Sequence, residues 1–81
     1  MPVSGIVVTL KQDEDAVAET LRAFGDDTRI DVGDRNRDRL PLVLDTADSD
    51  EDKELWRWIN SQPGVIHTDV VFVHFDEEVE T

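Results

Sequence analysis

One pattern occurs twice within 81 residues: an apolar stretch, an acidic helix start, an amphipathic helix and a second apolar stretch. The first stretch, Val3 to Leu10, is continuous and reads as a strand inside a sheet. Ile6, Val8 and Leu10 share one of its faces; Val3, Gly5, Val7 and Thr9 share the other. Asp13 suits a helix N-cap, Val17, Leu21 and Phe24 then recur at helical spacing, and Gly25 provides a stop. From Thr28 to Gly33, Ile30 and Val32 alternate with Arg29 and Asp31, the mark of a half-buried edge strand, and a turn over Asp34 to Asp38 follows.

The second half repeats the order. Leu40 to Thr46 presents Leu40, Leu42 and Leu44 on one face, with Pro41 tolerable only near the strand's start or where the ladder is locally unpaired. Asp48 or Ser49 caps a second helix whose inner face is Leu55, Trp58, Ile59 and Gln62 and which Pro63-Gly64 ends. Trp56 falls on its flank, where packing is its expected use. Val65 to Phe75 is the last and longest strand, and the acidic run Asp76 to Thr81 reads as a frayed tail. A single βαββαβ domain of the α+β class results. Its right-handed crossovers put both helices on one face of a four-stranded antiparallel sheet, the ferredoxin-like arrangement.

Such a sheet keeps one face open. If each strand turns its more apolar register to the helices, Ile6, Val8, Leu10, Ile30, Val32, Leu40, Leu42, Leu44, Ile66, Val70 and Phe72 face them. The open face is then Val3, Gly5, Val7 and Thr9, Val43, and Val71, Val73 and Phe75, with Asp31, Asp45 and Asp69 on the same register. A contiguous apolar patch of this kind marks a binding surface, and Gly5 admits close approach of a ligand backbone. On physical grounds alone a second copy of the domain and a foreign peptide fit it equally.

Composition narrows the partner. A formal net charge of -12 excludes a nucleic-acid partner, which needs a basic face. The acids are scattered along the chain, so they read first as the solvating surface of a salt-adapted, halophilic protein. There is no cysteine, hence neither disulfide nor thiolate metal site, which fits a reducing cytoplasm. Met1 to Gly5 lacks a basic segment followed by an apolar core, so neither export by its own signal nor membrane insertion is expected.

Catalytic motifs do not emerge. Ser4, Ser49 and Ser61 stand in no nucleophile elbow, the four glycines are dispersed, and His67, Asp69 and His74 lack metal-ligand spacing. Arg35, Arg37 and Arg39 alternate through a turn, but Asp34 and Asp38 offset them. An acylphosphatase-type enzyme shares the βαββαβ order but needs an anion-cradling loop, where this chain has Lys11-Gln12-Asp13-Glu14-Asp15. A binding protein without a cofactor is therefore expected, not an enzyme.

The opening Val3-Ser4-Gly5-Ile6-Val7-Val8, together with Pro63-Gly64-Val65-Ile66 and the closing Val71-Phe72-Val73-His74-Phe75-Asp76, resembles the NapD family over essentially the whole chain. Ser4, Gly5, Ile6 and Val7 match that family's first strand, and Phe72, His74 and Phe75 its final segment. The polar Arg35 to Pro41 stretch and the pair Trp56 and Trp58 depart from it. The resemblance implies a ferredoxin-like cytoplasmic chaperone, monomeric or weakly dimeric. Its ligand would be the twin-arginine signal peptide of a periplasmic nitrate reductase catalytic subunit, held on the open sheet face so that export waits for cofactor insertion. A small effector-sensing or homodimerising regulatory domain of the same fold is the alternative.

Overall fold

The two inner strands of the sheet are carried by an apolar face turned to the helices, and the helices begin where an aspartate can cap them. The computed structural model describes the backbone of residues 2–75 and the side chains of residues 3–73; the Asp76 to Thr81 segment lies outside the described residues. The elements run β1 (Pro2–Leu10), α1 (Glu14–Gly25), β2 (Ile30–Val32), β3 (Arg39–Asp45), α2 (Ser49–Asn60) and β4 (Val65–Phe75). They form a four-stranded sheet in the order β2-β3-β1-β4, every neighbouring pair antiparallel, which is the ferredoxin-like fold.

Both helices start on an extended aspartate. The Asp13 carboxylate accepts from the N–H groups of Asp15 and Ala16 at 3.1 and 3.3 Å, and that of Asp48 accepts from Glu51 N–H at 2.8 Å. Each cap satisfies donors that the first helical turn leaves unpaired. Gly25 does not stop α1 as its sequence position implies: it is the last helical residue, and Asp26 forms the right-handed cap. α2 ends at Asn60, so Gln62 lies beyond it and folds back to donate to the Trp58 carbonyl at 3.1 Å.

The core lies between sheet and helices. Ile6, Val8 and Leu10 of β1 and Leu40, Leu42 and Leu44 of β3 meet Val17 and Phe24 of α1 and Leu55 and Ile59 of α2. Two features dock the C-terminal half onto α1. Gly64 N–H donates to Thr20 Oγ1 at 2.8 Å, and the Thr20 hydroxyl donates to the Ala16 carbonyl at 2.9 Å. A Cβ on Gly64 would lie 2.8 Å from that same carbonyl, so only glycine fits there.

β2 is shorter than the alternation of Thr28 to Gly33 implies; just before it the Arg29 carbonyl still accepts from Asp45 N–H at 2.8 Å, while its guanidinium forks onto Asp27, at 3.0 Å through Nε and 2.7 Å through a terminal nitrogen. Pro41 satisfies the condition set for it. It is the third residue of β3 and stands opposite Gly33, just past the end of β2, where the Gly33 N–H still reaches its carbonyl at 2.9 Å. The two strands are joined by a turn at Arg37 and Asp38, closed by reciprocal bonds between Asn36 and Arg39 of 2.8 and 3.0 Å, with Arg37 left-handed at φ 59°.

Strand β4 corrects the expected register. Its pairing with β1 slips twice, once between Val65 and His67 and once between Val70 and Phe72, so Ile66 and Val71 are bulge residues. Each extra residue reverses the side-chain parity beyond it. Val65 therefore enters the core at 5% exposure in place of Ile66, which is 57% exposed, and Phe72 lies on the open face beside Gly5. Val70 keeps the helix-side register opposite Ile6, yet remains half exposed at the mouth of a cleft that it shares with Trp56 of α2. Val32 likewise has the expected parity but is exposed at the end of the short edge strand.

The tryptophans also exchange roles. Trp56 is partly buried and packs against the core, whereas Trp58 is 36% exposed and rests edge-on against Phe24 with ring centroids 6.0 Å apart.

Candidate binding face of the sheet

β1 lies inside the sheet, so Val3, Gly5, Val7 and Thr9 run down the middle of the face that neither helix covers. Directly opposed residues of antiparallel strands share a face, and the registers therefore define rows across it. One row is Asp31, Val43, Gly5 and Phe72; the next is Pro41, Val7 and Asp69. Asp45 and Val3 form the row at one end, and Arg39, Thr9 and His67 the row at the other.

The centre is apolar and depends on a glycine. A Cβ on Gly5 would fall 2.1 Å from Cε1 of Phe72, which places the phenyl ring directly over the Gly5 backbone. The ring is itself 46% exposed, so it covers β1 without being covered. Val71, bulged out beside it, is 65% exposed. Gly5, Val7, Pro41, Val43, Val71 and Phe72 border a shallow depression of about 210 Å³. Its surroundings are almost wholly carbon.

Carboxylates flank this centre on three sides. Asp31 stands beside Val43 on β2, Asp45 beside Val3 at one end, and Asp69 beside Val7 on β4. Asp69 is 3.4 Å from Nε2 of His67, whose ring also approaches the Thr9 hydroxyl at 3.5 Å. Asp31 and Asp45 sit diagonally across the β2–β3 pair, a spacing of about 7–8 Å between backbones.

Most of the residues expected on the open face are therefore there: Val3, Gly5, Val7, Thr9, Val43, Val71, Asp31, Asp45 and Asp69. Thr9 and Gly5 offer little surface, being covered by their neighbours. Val73 is not on this face: the bulge turns it to the helix side, opposite Ser4 and into a cleft with Trp56. Phe75 pairs with Pro2 through its backbone, and its side chain lies outside the described residues. Phe72 is the residue that strict alternation missed. The signal was present in Gly5, since a glycine inside a strand marks the close approach of something else.

On the helix side, the Ser4 hydroxyl donates to the Asp52 carboxylate at 3.2 Å, and Thr46 reaches the same carboxylate at 3.4 Å, tying β1 and the end of β3 to α2. Arg29 bridges Asp27 to Glu51 of α2, at 2.7 and 3.5 Å. The guanidinium fork holds the Asp27 carboxyl below the usual carboxylate range against a smaller opposing effect of burial, and Asp27 in turn holds the Arg29 guanidinium above its ordinary value.

Among the described residues no three histidine, cysteine, aspartate or glutamate side chains gather into a metal-binding group. No described helix is long and apolar enough to cross a membrane. Compared with known protein-family models the chain matches none, and compared with curated proteins it also finds no match.

Proposed function

We propose that this protein is a peptide-binding chaperone whose ligand is the twin-arginine signal peptide of a periplasmic nitrate reductase catalytic subunit, held in the cytoplasm until the enzyme's cofactors are inserted. One observation carries this reading: the uncovered sheet face has an apolar centre around Gly5 and Phe72 with carboxylates on three sides. A twin-arginine signal pairs a basic segment with an apolar one, and this face complements both. Val7, Val43, Val71 and Phe72 meet the apolar side chains, while Asp31 and Asp45 take the arginine pair. The resemblance of the first and last strands to the NapD family supplies the identity of the ligand; the chemistry of the face supplies only its class.

Titration of a synthetic twin-arginine peptide into the protein by calorimetry tests the reading. It predicts saturable binding, weakened about tenfold or more when both arginines become lysines, because lysine cannot form the bidentate carboxylate contact. Equal binding of the two peptides removes the arginine-pairing role of Asp31 and Asp45. Absence of binding by either removes the chaperone reading itself.

A further inference from the structure

β4 is the longest strand of the sheet and stands at its edge, with β1 as its single neighbour among the described residues. At about 3.3 Å per residue its eleven residues present roughly 36 Å of free backbone. Natural edge strands are blunted with lysine, proline, a bulge or a covering element. β4 contains neither lysine nor proline; its bulges at Ile66 and Val71 interrupt the edge, but its apolar side chains from Val70 to Val73 stay about half exposed. Its exposed apolar side chains project to both sides of the edge. Val71 and Phe72 lie on the open face, while Val70 and Val73 lie on the helix side. There they border a cleft of about 200 Å³ between β4 and α2, closed by Trp56 and Asp52. The indole N–H of Trp56 is buried without a hydrogen-bond partner, which an unfilled apolar seam leaves uncorrected.

We propose that the free edge of β4 takes up an extended, cation-bearing segment of a partner as a fifth strand. The apolar side chains of that segment fall alternately onto Phe72 and Val71 and into the Trp56 cleft. The proposal deepens the peptide-binding reading and rests on it: it assigns the conformation of the ligand's apolar segment and a second, helix-side pocket for its alternate residues. Main-chain bonds along the edge give affinity and the two side pockets give selectivity. The charge favours a foreign cationic strand over a second copy of this chain, since two copies each carrying -12 repel.

The test uses a synthetic peptide with an Arg-Arg pair followed by an apolar run, N-methylated at three alternate amides in one phase or in the other. Strand addition predicts that methylation in the phase facing β4 weakens binding about a hundredfold, at roughly fivefold per lost bond, while the other phase changes it less than about threefold. Equal effects in both phases, as a helical ligand lying on the open face gives, overturn the proposal while leaving peptide binding intact. If the unmethylated peptide does not bind, the function and the proposal fall together. Concentration-dependent protection of β4 amides from exchange in the protein alone overturns it in favour of self-pairing.

Discussion

At the residue scale the face turns on Gly5. Any side chain there meets the Phe72 ring well inside van der Waals contact distance, and the ring, being half exposed, escapes by swinging into solvent. Gly5→Ala is therefore expected to change stability by less than about 1 kcal/mol, since the lost ring contact is offset by reduced freedom of the unfolded chain. Peptide affinity, by contrast, falls about tenfold, because the depression loses one wall. Denaturant unfolding and calorimetry on the same variant check both halves. A variant that keeps full affinity means that Phe72 does not shape the site. The two tryptophans make the opposite point about legibility. With Leu55 and Ile59 defining the buried stripe of α2, Trp56 and Trp58 each stand roughly 80° from its centre on opposite sides, so helical periodicity does not rank them. Their neighbours decide: the β4 cleft receives Trp56, and Phe24 of α1 receives only the edge of Trp58.

At the scale of elements, β1 and β3 were legible in full, because an inner strand with one apolar register has one way to face the helices. The cap Asp13 was legible because an aspartate before an amphipathic run has a defined donor to satisfy, and the second cap was narrowed to Asp48 or Ser49, of which the structure uses Asp48. β4 was not. Its valines and aromatics occupy both parities, and nothing in their order marks the bulges at Ile66 and Val71 that twice reverse its faces. The Arg29 bridge was equally invisible, since Asp27 and Glu51 lie far apart in sequence and only the fold brings the first turn of α2 to the segment before β2. Its contribution has a sign. The Asp27 carboxyl titrates lower in the folded protein than in the unfolded chain, so its stabilisation is complete above the ordinary carboxylate range and is lost as pH falls through the lowered value. Asp27→Asn is expected to cost no more than about 1 kcal/mol at neutral pH, given the partly exposed guanidinium, and the gap from wild type should close in strong acid. Unfolding measured from neutral to acid pH checks this; a constant gap contradicts it.

At the scale of the whole molecule, 20 acidic residues face 8 lysines and arginines, and among the described residues the ion pairs at lysine or arginine involve only Arg29 and Arg35. Most of the carboxylates repel one another across a small surface, and added salt shortens the range of that repulsion to about 3 Å at 1 M. Thermal unfolding should therefore shift upward by several degrees between low and molar potassium chloride; a midpoint indifferent to salt contradicts salt adaptation. The same field attracts a basic peptide. On the proposed reading, the uncovered sheet face is where that peptide rests. The most direct test of that claim is the amide spectrum of isotopically labelled protein titrated with the twin-arginine peptide. The account predicts saturable shifts centred on Gly5, Val7, Val43 and Phe72 and extending along β4, with the outer surface of α1 unmoved. Shifts centred on that helix surface, or none at all, contradict it.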